Sequence, residues 1–190
     1  MMQTLSQVRT DVVARLHAAA RDRTSPMHTP VVATADADAR IMVLREFDAE
    51  RWMLRFHTDA RAPKVSTIDD AAQVTVLFYD KSEGMQLRCR GRARIERDTP
   101  LADAAWSSSD NYARRCYLGS APGETVEGPS SGLPEWIEGK KPTDEQLAPV
   151  RSNFAVLLIE IEEVDWYRLA HDGHRRAIVG PLGDGRWLTP

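Results

Sequence analysis

Between Met85 and Ile95 the chain alternates without a break. Met85, Leu87, Cys89, Gly91, Ala93 and Ile95 form one set, and Gln86, Arg88, Arg90, Arg92 and Arg94 form the other. A sustained period of two is a β-strand with one face in a core and one face on polar surroundings. A helix does not accommodate it, because the arginines would be distributed around the whole cylinder. The run before it, Gln73 to Tyr79 (QVTVLFY), is strongly β-prone, and Asp80–Gly84 reads as the turn that joins the two. This pair commits the chain to an antiparallel sheet.

The flanking segments extend that sheet. Val31–Thr34, Arg40–Phe47 and Arg51–His57 are apolar or alternating runs separated by Asp-rich turns, which predicts a three-stranded meander. Asn153–Arg168 (NFAVLLIEIEEVDWYR) predicts another strand. Ala177–Val179 and Arg186–Leu188 predict a closing hairpin around Gly180–Gly185. Helices are fewer. Leu5, Val8, Val12 and Leu16 recur at helical spacing, which predicts a helix over about residues 4–20. Ala62–Ala72 predicts a second, with Pro63 suited to its first turn. Thr99-Pro100 opens a third stretch, Leu101–Tyr117, broken near Ser107–Asp110. Residues 119–142 are rich in Gly, Pro and Ser and predict a long loop of the kind that often carries function. The fold class expected is mainly β with flanking helices, a barrel or sandwich in one domain spanning 1–190.

Composition narrows the function classes. The 190 residues carry 25 Lys+Arg against 28 Asp+Glu, a formal net charge of -3. Sequence-blind nucleic-acid binding needs a basic face and is not expected. There is no apolar run of membrane-spanning length. The N-terminus has no basic start followed by an apolar core, so no secretory signal is expected there. Two scattered cysteines, Cys89 and Cys116, suit a reducing, cytoplasmic setting. Nucleophile-elbow, phosphate-loop and metalloprotease motifs do not occur, and His171 and His174 lack a third ligand nearby, so no metal site is expected.

What remains is a set of cations at strand ends. Arg40 and Arg45 bracket one strand, and His57-Thr58 end the next. Arg61 and Lys64 sit at the start of the second helix, where unpaired N–H groups favour an anion. By themselves Arg61 and Lys64 read more readily as solvated surface charges than as an anion site. Trp166 suits core packing, and Arg175-Arg176 suits a charged edge that discourages strand pairing.

Taken in order, the segments Arg40–Arg45, Phe56–Lys64, Val74–Tyr79, Met85–Gly91 and the ending Trp166…His174-Arg175-Arg176…Trp187-Leu188-Thr189-Pro190 resemble the pyridoxamine 5'-phosphate oxidase-related FMN-binding split barrels. The resemblance implies an antiparallel, Greek-key split β-barrel, FMN as cofactor, and a homodimer with the flavin at the subunit interface. It implies cofactor contacts from Arg40, Met42, Val43, Leu44, Arg45, His57, Thr58, Lys64, Gln86, Trp166 and Arg176. It places Arg45, Arg114 and His174 on the substrate side. Two departures stand out. The family's Ser-Arg-Lys phosphate motif reads Ala62-Pro63-Lys64, with Arg61 as the neighbouring substitute. Its Arg-x-His clamp reads Asp172-Gly173-His174, which puts a carboxylate where a substrate phosphate would lie. The expected activity is flavin hydride transfer on a small molecule. The rivals are a true pyridoxamine 5'-phosphate oxidase and a non-catalytic flavin- or haem-binding module, with His57 or His174 as iron ligand.

Overall fold

The computed structural model describes residues 4–68 and 72–190. The chain groups into two compact units, one of Met1–Phe56, Asp70–Arg94 and Leu158–Pro190, the other of His57–Asp69 and Ile95–Leu157.

The first unit carries most of the sheet. It begins with α1 (Leu5–Arg21), whose Thr4 and Gln7 form a reciprocal capping box and whose Val8, Val12, Leu16 and Ala19 are buried. The strands are β1 (Val31–Thr34), β2 (Ala39–Ile41), β3 (Leu44–Asp48), β4 (Met53–Asp59), β5 (Ala72–Asp80), β6 (Met85–Glu96), β7 (Phe154–Arg168), β8 (Arg175–Val179) and β9 (Gly185–Leu188). They lie in the order β2-β1-β5-β6-β7-β4-β3, with β8 on β7 and β9 on β8. The neighbours β1–β5 and β6–β7 are distant in sequence, as a Greek-key antiparallel topology requires.

β6 keeps the alternation that the sequence set. Met85, Leu87, Cys89, Gly91 and Ala93 are buried, and the intervening Gln and Arg residues are not. Gly91 has a specific reason. A Cβ there would lie 2.0 Å from the Glu160 carbonyl oxygen on β7, so only glycine lets the two strands approach.

The expected strand Arg40–Phe47 is divided. β2 pairs with β1 and β3 pairs with β4, so the expected meander is two hairpins that end up far apart in the strand order. The break falls at Met42–Val43. There the Met42 N–H donates to the Pro30 carbonyl and the Leu44 N–H to the His28 carbonyl, which holds the backbone against the preceding loop.

The second unit is mostly short helices: α2 (Pro63–Thr67), α3 (Pro100–Ser107), α4 (Asn111–Arg114) and α5 (Asp144–Leu147), with 3-10 turns at Arg115–Leu118 and Ala148–Asn153. Thr99, Asp110 and Thr143 cap α3, α4 and α5 with side-chain oxygens. The helix expected over 62–72 is shorter than its pattern suggested. α2 has five residues, Ala72 already belongs to β5, and residues 69–71 lie outside those described. Trp106, Tyr117 and Phe154 pack edge-on at 5.3–5.7 Å between ring centroids and form this unit's aromatic core. The 119–142 stretch is a loop of turns, closed on itself by the Ser120 N–H on the Gly132 carbonyl and anchored by buried Ile137.

Candidate functional site

The most concentrated charge arrangement in the first unit is built on Asp165. Its side chain is 1% exposed, although it lies in a strand of apolar neighbours. Arg176, on β8, grips it with a two-pronged contact: Nε to Oδ1 at 3.0 Å and Nη2 to Oδ2 at 2.7 Å. Arg88, on β6, donates its Nη2 to the same Oδ2. Burial pushes the Asp165 carboxyl up, but the hydrogen bonds and charges of the two arginines outweigh it and hold the group below its ordinary value. The bond to Asp165 in turn raises Arg176. Two cations on one anion leave the cluster with a net positive charge. Arg88 and Arg176 remain about a third exposed, at 32% and 29%, although the Arg88 Nε itself is buried and has no hydrogen-bond partner. Further along β6 the pattern is one to one, with Arg90 on Glu163 at 2.6 Å and Arg92 on Glu162 at 2.9 Å.

The strand period explains this placement. Asp165 and Tyr167 share a face of β7, and Tyr167 is the register partner of Arg176. Gln86 and Arg88 share the polar face of β6, with Gln86 half-buried opposite Tyr79. Trp166 takes the other face of β7. Its ring is buried, and its indole N–H donates to Asp11 of α1 at 2.8 Å. The structure therefore groups Arg88 with Arg176 and separates Trp166 from them.

The remaining first-unit candidates are dispersed. Arg40 is engaged inside its own hairpin by Asp38, the Thr34 hydroxyl at 3.0 Å and the Val32 carbonyl at 3.3 Å. Met42 and Leu44 are buried, with Val43 half-buried between them. Arg45 is exposed at a register shift between Leu44 and Glu46, the kind of bulge that re-aims a side chain. His174 sits in the β7–β8 turn, its Nδ1 accepting the Ala170 N–H and its ring edge-on to Tyr167. Beside it is a cavity of about 190 Å³ lined by Arg168, Ala170, Asp172, Gly173 and Arg175.

The second unit holds the other candidates. His57 is half-buried with its ring 4.9 Å from Phe154, and Thr58 is buried. Arg61 bonds through all three of its nitrogens: Nε and Nη2 on the Asp59 carboxylate at 3.0 and 2.7 Å, Nη1 on the Gly119 carbonyl at 3.1 Å. That bonding raises its pKa and makes it a poor substitute for a missing phosphate-binding arginine. Lys64 is half-buried in α2, which has no side-chain cap. Arg114 is buried over Trp106 and bonded to Asn111 and Asp144, which makes it a packing residue of this unit.

Asp165 and Arg88 were not singled out by sequence. The usable signal was an Asp inside an apolar strand whose neighbour carries alternating arginines, because such a carboxylate must be paired. Among the described residues, no group of three His, Cys, Asp or Glu side chains is placed to hold a metal ion, and no helix is long and apolar enough to cross a membrane.

Comparison with known proteins agrees with this architecture. Residues 10–97 match the family model described as pyridoxamine 5'-phosphate oxidase, FMN-binding domain. A pyridoxamine 5'-phosphate oxidase-related FMN-binding protein from Nostoc punctiforme superposes with a TM-score of 0.75 and 22% identity, covering 99% of this chain and 100% of that one. PhzG from Burkholderia lata gives a TM-score of 0.67 and 16% identity over 98% and 92%. A Clostridium acetobutylicum protein related to general stress protein 26 gives 0.57 and 11% over 91% and 95%. No curated protein matches the sequence. The fold is the antiparallel split barrel with flanking helices.

Proposed function

We propose that this chain, a relative of the pyridoxamine 5'-phosphate oxidase FMN-binding split barrels, binds FMN and acts as an oxidoreductase on a small molecule. The observation that carries the reading is the Arg88–Asp165–Arg176 cluster, two residues along β6 from Gln86. A flavin needs charge neutralisation for its phosphate and hydrogen bonds for the polar edge of its ring. The arginines offer the first, since both are partly exposed and carry N–H groups beyond those used by Asp165. Gln86 offers the second, because its amide both donates and accepts.

FMN, when bound, supplies hydride transfer at its ring. The chain's own groups set what is oxidised or reduced. Arg45 and His174 are assigned to the substrate side. Asp172 lines the cavity near His174 together with Arg168 and Arg175. Its carboxylate disfavours a doubly charged phosphate there, so pyridoxamine 5'-phosphate is not the expected substrate. The small volume and mixed charge favour a compact molecule with at most one anionic group. The PhzG structure, a complex with tetrahydrophenazine-1-carboxylic acid, is a relative holding a ligand of that kind. We also assign the chain to a homodimer that closes each flavin site with a second copy, on the family resemblance.

The test is an absorbance spectrum of the protein after FMN addition and desalting. Retained flavin near one per chain, with a thermal stabilisation near 2.7 kcal/mol at about 100-fold excess over Kd, is expected. A desalted protein without flavin absorbance and with an unchanged melting curve refutes the reading. Light scattering in the same buffer checks the dimer, and a monomeric mass rejects it.

A further inference from the structure

We infer that Asp165 is a positioning residue for the flavin's negative charge: it holds Arg88 and Arg176 side by side so that both guanidiniums face one anionic group. The inference rests on the FMN-binding reading. Its basis is a buried carboxylate that serves two arginines from two different strands. Two guanidiniums this close repel one another in free solution, and each flexible side chain has many alternative rotamers. Asp165 removes both obstacles. It offsets half of their charge and fixes Arg176 through both of its oxygens, which sets the plane of that guanidinium. Arg88 is bound through Nη2 alone and its Nε is buried, so the exposed third of its side chain is the part that can face a ligand. Asp165 is itself fixed, since it lies between buried Val164 and Trp166, whose indole is tied to α1.

The anionic group has two possible sources on one ligand. One is the phosphate, and the other is the charge that the ring gains on reduction. Both are recognised by the same paired guanidiniums.

The substitution Asp165→Asn separates positioning from charge. It raises the net charge of the cluster, so charge counting alone expects tighter binding of an anion. Positioning expects the opposite. Titration of FMN and of riboflavin by fluorescence quenching, with the midpoint potential of the bound flavin, distinguishes the sources. If the phosphate is held, D165N weakens FMN at least tenfold and leaves riboflavin within twofold. If the ring charge is held, both flavins bind in the oxidised state as before, and the midpoint potential falls. FMN binding that is unchanged or tighter with an unchanged potential overturns the inference. So does a parallel loss for FMN and riboflavin, which would mean a general disturbance of the fold. Should D165N not fold, D165E keeps the charge and moves it by one methylene. It is then expected to weaken FMN severalfold with riboflavin unchanged, or to lower the potential, and wild-type values for both overturn the inference. A wild-type protein that binds neither flavin removes the FMN-binding reading itself, whereas normal wild-type binding with an indifferent D165N removes this inference alone.

Discussion

Each unit of the molecule holds an arginine–aspartate cluster, and the two differ in stoichiometry. In the second unit Arg61 meets Asp59 one to one, and its third nitrogen donates to the Gly119 carbonyl. The result is neutral, and it fixes a turn. In the first unit two arginines meet one carboxylate, which leaves a net positive charge on guanidiniums about a third exposed. The same residue types therefore serve a loop in one place and, on the proposed reading, an anion site in the other. What decides is how many cations share the carboxylate, which strand pairing sets and local spacing does not.

Stability gives the widest separation between them. Replacing Asp165 with Asn strands two arginines around a buried neutral group and is expected to cost about 3 kcal/mol in urea unfolding. Replacing Asp59 with Asn disturbs a more open turn and is expected to cost about 1 kcal/mol. Equal losses would break the comparison. Gly91→Ala tests the strand approach on which the first cluster depends. The new Cβ meets Glu160 at a distance that the backbone cannot accept, so a loss of about 2 kcal/mol is expected. A fully stable variant in calorimetry would contradict the close packing of β6 on β7.

Ligand binding sharpens the contrast further. Arg176→Ala is expected to weaken FMN about tenfold, or about 1.4 kcal/mol, whereas Arg61→Ala changes it less than about twofold. The reverse order in a fluorescence titration would assign the anion site to the second unit. The smallest effect is on acid stability. Asp165 has a depressed folded pKa, so its stabilisation is complete above the unfolded value of about 3.9 and is lost as pH falls through the lower folded value. Urea midpoints measured downward from about pH 4 should fall more steeply for the wild type than for D165N. Parallel curves would show that Asp165 is not the group being protonated.

Much of the fold was legible because its signals are local. The period of two in Met85–Ile95, the apolar stripe of Leu5–Leu16 and the Thr99-Pro100 helix start each lie within one element, and each forms where its pattern placed it. The division of Arg40–Phe47 was not legible, because it depends on carbonyls of residues 28 and 30 that draw the backbone away from a continuous strand. The candidate site shows the same limit. Arg176 and Gln86 were marked by the family resemblance, but Asp165 acquires its meaning only when β7 lies between β6 and β8. The resemblance groups Trp166 and Arg176 as cofactor contacts, yet strand alternation sends them to opposite faces.

A crystal structure of the protein with FMN bound tests the central claim most directly. An anionic oxygen of the flavin within about 3 Å of the Arg88 or Arg176 guanidinium, with Asp165 still holding both, is the expected result. A bound flavin whose charged groups all lie elsewhere, with Arg88 and Arg176 contacting Asp165 alone, would contradict it.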